Sequence, residues 1–222
     1  MEKPISLRGL YVITPAIGQT VNSSALLHDV ELAIKGGAHI VQYRDKSHDK
    51  AQNKAKARRL ALASELLALC NRYQALFIIN DDVELAAAIQ AHGVHLGAED
   101  TPLAQARQRL GAQAIIGASC YNRLELALSA QQQGADYVAF GRFFPSRTKP
   151  QAVSAEIALL RQAKSRLHIP IVAIGGITAQ NGSQLIVAGA DMLAVVDAVF
   201  AQDDILAAAQ QLANCFSIPP NT

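Results

Sequence analysis

The sequence predicts a (β/α)8 barrel formed by a single domain over residues 1–222, with a core from about residue 8 to residue 216. Short β-rich runs alternate eight times with longer amphipathic segments rich in Ala and Leu. Half of the residues are apolar but only 5% are aromatic, so aliphatic side chains must form the core. Eight such units with no additional domain favour a closed barrel over an open doubly wound sheet.

The predicted strands are runs of β-branched and aliphatic residues, which is typical of parallel strands that are buried on both faces. In chain order they cover residues 10–14, 40–43, 77–80, 93–96, 115–119, 137–140, 171–174 and 192–196. The helices between them cover residues 24–35, 49–73, 83–90, 102–110, 122–133, 154–166, 179–188 and 203–215. Glycines at 37, 134 and 189 end three of these helices, because glycine permits the left-handed turn that terminates a helix.

The remaining composition excludes several classes of protein. The net charge of +2 is too small to indicate nucleic-acid binding. No run of about 18 apolar residues and no signal peptide is present, so we expect neither a membrane partner nor export. Three cysteines without a CxxC motif indicate a reducing compartment, and hence the cytoplasm. The tail 217–222 is expected to be loose, and the sequence leaves a homo-oligomer open.

In a barrel the active site lies at the carboxyl ends of the strands. Polar clusters follow seven of the eight predicted strands, and we expect them to meet on one rim. They occupy residues 42–46, 80–82, 96–100, 119–122, 146–149, 175–176 and 196–197.

Gln42, Arg44 and Lys46 alternate along the end of the second strand and therefore share one face. Two cations and an amide on one face suit a polyanion. The alternative for Arg44 is a salt bridge to a neighbouring carboxylate inside the barrel.

Asp81 and Asp100 follow adjacent strands, where two carboxylates beside basic groups suit Mg²⁺ shared with phosphates. Either could instead cap the following helix, and for Asp100 both interpretations stay open. Asn80 adds an amide that could orient a heterocycle or a phosphate.

Further anion contacts are predicted after strands six, seven and eight. Residues 141–149 place hydroxyls and cations in one turn, although an exposed basic turn would look the same. Gly175-Gly176 and Val196-Asp197 occupy the strand ends that often hold a phosphate on backbone N–H groups, although Gly-Gly also forms ordinary tight turns.

The histidines offer no ligand-spaced pair, and His92 and His95, which flank the start of strand four, are expected to be structural. No Ser-His-Asp or Cys-His nucleophile is evident. None is needed if a diphosphate bound to Mg²⁺ leaves first, because the metal neutralises the charge that develops.

These motifs resemble the thiamine phosphate synthase family, also called thiamine-phosphate pyrophosphorylase, over nearly the full length. The resemblance is carried by residues 10–14, 42–46, 79–81, 95–100, 117–119, 141–149 and 173–177. It implies joining 4-amino-2-methyl-5-(diphosphomethyl)pyrimidine to a thiazole phosphate in a dissociative, Mg²⁺-dependent reaction.

The resemblance also implies roles for individual residues. Arg44, Ser119 and Lys149 are the implied catalytic residues, and Asp81 and Asp100 the implied Mg²⁺ ligands. The pyrimidine diphosphate is assigned to the motif Gln42, Tyr43, Arg44, Asp45 and Lys46 with Asn80, Ser119 and Lys149. The thiazole phosphate is assigned to Ser146, Arg147 and Thr148 with Gly176, Val196 and Asp197.

The sequence departs from the family pattern at two positions. Ser146 stands where the family often has Thr, which keeps a hydroxyl. Asp197 stands where the family often has Ser, and a carboxylate near a phosphate would repel it unless it points away or caps the final helix. A thiazole tautomerase-like paralogue and a non-catalytic phosphate-binding barrel are the alternative functions.

Overall fold

The computed structural model describes residues 7–16, 22–45, 53–146, 151 and 153–217. It confirms the (β/α)8 barrel, since eight parallel strands follow one another in chain order and the first pairs with the last. The strands are β1 Gly9–Ile13, β2 Ala38–Tyr43, β3 Leu76–Asn80, β4 Gly93–Leu96, β5 Ile115–Tyr121, β6 Tyr137–Phe140, β7 Ile171–Ile174 and β8 Met192–Val195.

Helices follow the strands and surround the barrel. They are α1 Ser23–Lys35, α2 Asn53–Arg72, α3 Val83–Ile89, α4 Leu103–Leu110, α5 Leu124–Gln132, α6 Ile157–Lys164, α7 Gly182–Val187, α8 Asp197–Phe200 and α9 Ile205–Asn214, and a 3₁₀ turn over Cys215–Ser217 ends the described chain. None of these described helices combines the length and the apolar character needed to cross a bilayer.

Three helices depart most from the predicted pattern, and one of them is α7, which begins at Gly182, three residues later than predicted. The short helix α8 was not predicted, because four residues are too few to show helical periodicity. Helix α6 begins three residues later than predicted, since the chain before it is held in an extended path. There Arg142 N–H donates to the Val153 carbonyl, and Ala155 N–H donates to the Arg142 carbonyl.

The core has two layers, which follow from the alternation of side chains along each strand. The outer layer lies between strands and helices and contains residues such as Leu10, Val41 and Phe77. The inner layer fills the barrel and includes Tyr11 and Tyr137. The inner layer therefore places two phenols beneath the carboxyl ends of the strands.

The three cysteines are buried and unpaired, in keeping with the predicted absence of a disulfide framework. Burial raises the pKa of the Cys70 and Cys120 thiols to about 12. Since the thiolate is the reactive form, both cysteines act as small apolar core residues.

Gly117 on β5 makes room for the inner-layer residue Tyr137. A Cβ at position 117 would lie 2.0 Å from Tyr137 Cζ. We therefore expect Gly117→Ala to lower the free energy of unfolding by about 2–3 kcal/mol through overpacking. Denaturant unfolding measures this loss, and Tyr137→Leu provides the matched background. If the Tyr137 ring causes the clash, Gly117→Ala lowers the free energy of unfolding clearly less in the Tyr137→Leu background than in the parent chain. Equal losses in both backgrounds would contradict this explanation.

Candidate active site

A cavity of about 540 Å³ opens at the carboxyl ends of the barrel strands. Residues from strands and loops around the whole barrel line it, so positions far apart in the sequence meet here. Eight of the predicted substrate-binding residues are among them: Gln42, Arg44, Asn80, Ser119, Ser146, Gly176, Val196 and Asp197. The predicted convergence of these strand ends on one rim is thus what the structure shows.

The side chains of Tyr43 and Asp45 do not line this cavity, and their assignment to the substrate-binding motif stays a prediction from the sequence. Both are buried in the layer between barrel and helices, where the Tyr43 hydroxyl donates to Asp45 Oδ2 at 3.4 Å. The Tyr43 ring packs beside Phe77, with ring centroids 6.5 Å apart. Alternation explains the difference, because side chains next to Gln42 and Arg44 in an extended chain point to the opposite face.

Four predicted site residues, Lys46, Arg147, Thr148 and Lys149, lie outside the described residues. Their roles therefore stay predictions from the sequence. Ser146 is the last described residue before this segment, and it lines the cavity.

Arg44 is half-buried at the end of β2, and its backbone N–H donates to the Thr14 side-chain oxygen at 2.9 Å. Burial lowers the pKa of the guanidinium, and the nearby Asp81 carboxylate opposes that shift. An arginine stays protonated in proteins, so the cavity contains a fixed positive charge beside a carboxylate. The predicted alternative for Arg44 was a salt bridge to a neighbouring carboxylate. The structure identifies Asp81 as an acidic neighbour of Arg44.

Asp81 and Asp100 both line a second rim cavity of about 800 Å³. Asp100 Oδ2 accepts a 2.6 Å hydrogen bond from Gly97 N–H, and the N-cap of α4 is Pro102, without a side-chain cap bond. Capping of α3 falls to Asp82, whose side chain accepts from Leu85 N–H. The helix-capping alternative therefore does not describe Asp81 or Asp100.

A chain of hydrogen bonds connects polar groups at the bottom of the central cavity. Gln42 Nε2 donates to the Tyr11 hydroxyl at 2.7 Å, and this hydroxyl lies 3.0 Å from the Tyr137 hydroxyl. His95 continues the chain, with Nδ1 3.0 Å from the Tyr137 hydroxyl and Nε2 2.8 Å from Ser119 Oγ. Burial raises the pKa of both phenols, which therefore stay protonated and able to donate.

Tyr11 and Tyr137 were not among the predicted site residues, and His95 was expected to be structural. His95 instead lines the cavity, with its ring stacked on that of Tyr137 at a centroid distance of 5.6 Å. The two-residue alternation of side chains along a strand could have identified all three. They occupy inward-facing positions of the barrel that aliphatic residues usually fill. Arg142, which also lines the cavity, was likewise not singled out.

The loop after β7 approaches the loop after β6 closely. Gly176 has a φ of +65°, and a Cβ there would lie 2.3 Å from the Pro145 carbonyl oxygen. The neighbouring Phe144 N–H donates to the Gly175 carbonyl at 3.0 Å. Glycine is therefore required at position 176 for both reasons, and it brings this loop next to Ser146.

Comparisons with known proteins agree on one family. The family model described as thiamine monophosphate synthase matches residues 10–199. Thiamine-phosphate synthase of Thioalkalivibrio sulfidiphilus is 52% identical over 212 residues, covering 96% of this chain and 97% of that protein. The protein of the same name from Nitrosococcus oceani is 52% identical over 204 residues, covering 92% and 90%.

A solved structure shows the same relationship in three dimensions. Thiamine phosphate pyrophosphorylase from Pyrococcus furiosus superposes with a TM-score of 0.80 at 33% identity, over 96% of this chain and 97% of that one. A 3-hexulose-6-phosphate synthase reaches a TM-score of 0.66 over 93% and 99% at 15% identity, which shows a shared fold alone.

Proposed function

The chain belongs to the thiamine monophosphate synthase family, and we propose that it condenses 4-amino-2-methyl-5-(diphosphomethyl)pyrimidine with a thiazole phosphate to form thiamine phosphate and diphosphate. The observation that carries the proposal is the single cavity that contains Arg44, Asn80 and Ser119 together with Gly176 and Asp197. The partners are these two small molecules, and the cytoplasm stays the predicted compartment.

Mg²⁺ is the proposed cofactor, with Asp81 and Asp100 as the residues that would hold it. Two carboxylates on one rim cavity provide hard oxygen donors, which suit this ion. Within the described ranges no group of three His, Cys, Asp or Glu side chains forms a metal site. The pair of carboxylates alone is what supports the proposal, since Mg²⁺ usually binds one or two carboxylates and completes its shell with phosphate and water. Bound there, the ion would neutralise charge on the diphosphate oxygens.

The proposed reaction breaks the bond between the methylene carbon and the diphosphate oxygen, and the bonding electrons leave with diphosphate. The electron-rich aminopyrimidine stabilises the resulting cation. The lone pair of the thiazole nitrogen then forms the new C–N bond. The chain supplies position and charge: Arg44 faces the leaving diphosphate, joined by Lys46 and Lys149 in the sequence-based proposal.

The hydrogen-bond chain supports a specific role for the cavity bottom. Tyr11, Gln42, His95 and Ser119 of this chain line the cavity, and their phenol, amide, imidazole and hydroxyl groups can pair with the ring nitrogens and amino group of a pyrimidine. Ser119, at the end of this chain and on the cavity wall, is the member that we propose contacts the pyrimidine. Buried polar groups that already satisfy one another keep this surface rigid before substrate binds.

The thiazole phosphate is proposed to bind at the loops after β6, β7 and β8. Ser146 offers a hydroxyl, and the backbone at Gly176 can approach phosphate oxygens because no side chain intervenes. Val196 and Asp197 lie at the start of α8, on the same side of the cavity.

A turnover assay tests the proposal. The purified protein is mixed with both substrates and Mg²⁺, and thiamine phosphate and diphosphate are quantified. Formation of both products in equal amounts is the expected result. Isomerisation of the thiazole without coupling would instead identify a tautomerase-like paralogue. Binding of the thiazole phosphate without any turnover would identify a non-catalytic barrel.

The carboxylate of Asp197 gives a second prediction. Asp197 is exposed and lines the cavity where we place the thiazole phosphate. Repulsion between like charges about 4 Å apart in water is about 1 kcal/mol, so Asp197→Ser is expected to lower the KM for the thiazole phosphate by about 3- to 5-fold. Steady-state kinetics at saturating pyrimidine diphosphate measures this change.

Asp203→Ser is the matched control, because Asp203 is an exposed aspartate outside the lining of the cavity. Its KM should equal that of the parent chain. A raised KM in Asp197→Ser would show that the carboxylate assists binding.

A further inference from the structure

One arginine outside the cavity connects the two strand ends that carry Arg44 and Asp81. Arg59 lies on α2, with its side chain only 10% exposed. Its Nε lies 3.1 Å from Asp45 Oδ2, and its Nη2 donates to Asp82 Oδ2 at 2.8 Å. Asp45 directly follows Arg44, and Asp82 directly follows Asp81, so one guanidinium contacts both neighbours.

On the β2 side, the contacts of Asp45 fix the backbone that presents Arg44. The Asp45 side chain is 3% exposed, and its Oδ2 receives both the Arg59 ion pair and the Tyr43 hydroxyl. The Thr14 side chain, just after the neighbouring strand β1, accepts a hydrogen bond from the Arg44 backbone N–H. Arg44 is thus held through its own backbone contact with the end of β1 and through the contact of the next residue, Asp45, with α2.

On the β3 side, Asp81 occupies a strained turn. Its φ is +64°, and the Asp82 N–H donates to the Asn80 carbonyl at 2.8 Å, which closes a three-residue γ-turn around Asp81. Such turns with positive φ are rare and persist only when surrounding contacts hold them. Asp82 supplies two such contacts, through Arg59 and through the N-cap bond to Leu85.

We propose that Arg59 is a positioning residue for the diphosphate end of the active site. It acts through Asp45 and Asp82, and it fixes the spacing between the Arg44 guanidinium and the Asp81 carboxylate. The inference rests on the proposed function, which assigns diphosphate and Mg²⁺ to these two groups. Because the thiazole phosphate is assigned to the loops after β6, β7 and β8, its binding does not depend on Arg59.

The test compares Arg59→Met with Arg107→Met. Arg107 makes an ion pair of the same kind, 2.6 Å from Asp136, but near the amino end of β6. Arg59→Met is expected to raise the KM for the pyrimidine diphosphate about 10-fold, as is usual when a residue supporting a metal ligand is lost. The KM for the thiazole phosphate should change less than about twofold, and Arg107→Met should change neither KM.

Calorimetric titration with inorganic diphosphate and Mg²⁺ provides a readout without turnover. Binding by Arg59→Met should be about 10-fold weaker than binding by the parent chain. If Arg59→Met does not fold, Arg59→Lys replaces it, because lysine keeps the charge but lacks the planar guanidinium. Arg59→Lys should also weaken diphosphate binding without changing the KM for the thiazole phosphate, but to a smaller degree.

Equal changes in both KM values, or a lower melting temperature with unchanged diphosphate affinity, would overturn the inference. Failure of the proposed function looks different, because the parent chain itself would then make no thiamine phosphate. The diphosphate titration would still decide whether Arg59 acts on an anion site.

Discussion

Arg44→Ala is expected to lower kcat/KM for the pyrimidine diphosphate by at least about 10²-fold, the usual cost of removing one group that stabilises charge in a transition state. The Asp81 carboxylate acts electrostatically on the Arg44 guanidinium, and Arg44 lines the central cavity. Negative charge builds on diphosphate as the carbon–oxygen bond breaks, so the loss should fall mainly on kcat.

Single-turnover kinetics separates the chemical step from substrate binding in this variant. Arg161→Ala is the control, since Arg161 is exposed on α6 and does not line the cavity. Arg44→Lys tests geometry, because an ammonium keeps the charge but cannot bind two phosphate oxygens as a fork. A near-normal kcat/KM in Arg44→Ala would remove Arg44 from the diphosphate site.

Asp81→Ala is expected to lower kcat/KM by at least about 10²-fold, because Asp81 is one of the two carboxylates proposed to hold Mg²⁺ against diphosphate. The residue sits at a φ of +64°, where alanine is itself strained. Asp81→Asn is therefore the more informative change, because asparagine tolerates this conformation and removes the negative charge alone.

Activity as a function of Mg²⁺ concentration distinguishes the two effects. Both variants should need more Mg²⁺ for half-maximal rate, and Asp81→Asn should keep the melting temperature of the parent chain. Glu65→Ala, on the exposed surface of α2, is the control for loss of a carboxylate. An unchanged Mg²⁺ requirement in Asp81→Asn would exclude Asp81 as a ligand.

The fold could be predicted from the sequence because strands and helices are each indicated by patterns of neighbouring residues. Buried parallel strands are continuous apolar runs, and the eight repeats left little choice of architecture. The barrel then brought residues such as Gln42, Asn80 and Asp197 to one cavity, since active sites form at the carboxyl ends of the strands.

The motif at residues 42–46 mixes two environments that the sequence-based assignment did not separate. Residues 42–46 alternate between two faces, so Tyr43 and Asp45 belong to the outer layer while Gln42 and Arg44 line the cavity. Strict use of the two-residue period would have separated them. Arg59 could not be found this way, because its partners Asp45 and Asp82 are set by how α2 packs against the barrel.

The bottom of the cavity presents the protonated phenol of Tyr11 and the amide of Gln42, whereas Arg44 and Asp81 lie half-exposed at the rim. Uncharged polar groups therefore lie deep in the cavity, and charged groups lie at its mouth. A substrate with a neutral ring at one end and several negative charges at the other can enter productively in one direction. In the proposed binding mode the charged end stays at the hydrated mouth, which avoids the large desolvation penalty of a polyanion. On that proposal the arrangement of polar and charged groups in the barrel favours one orientation of the substrate.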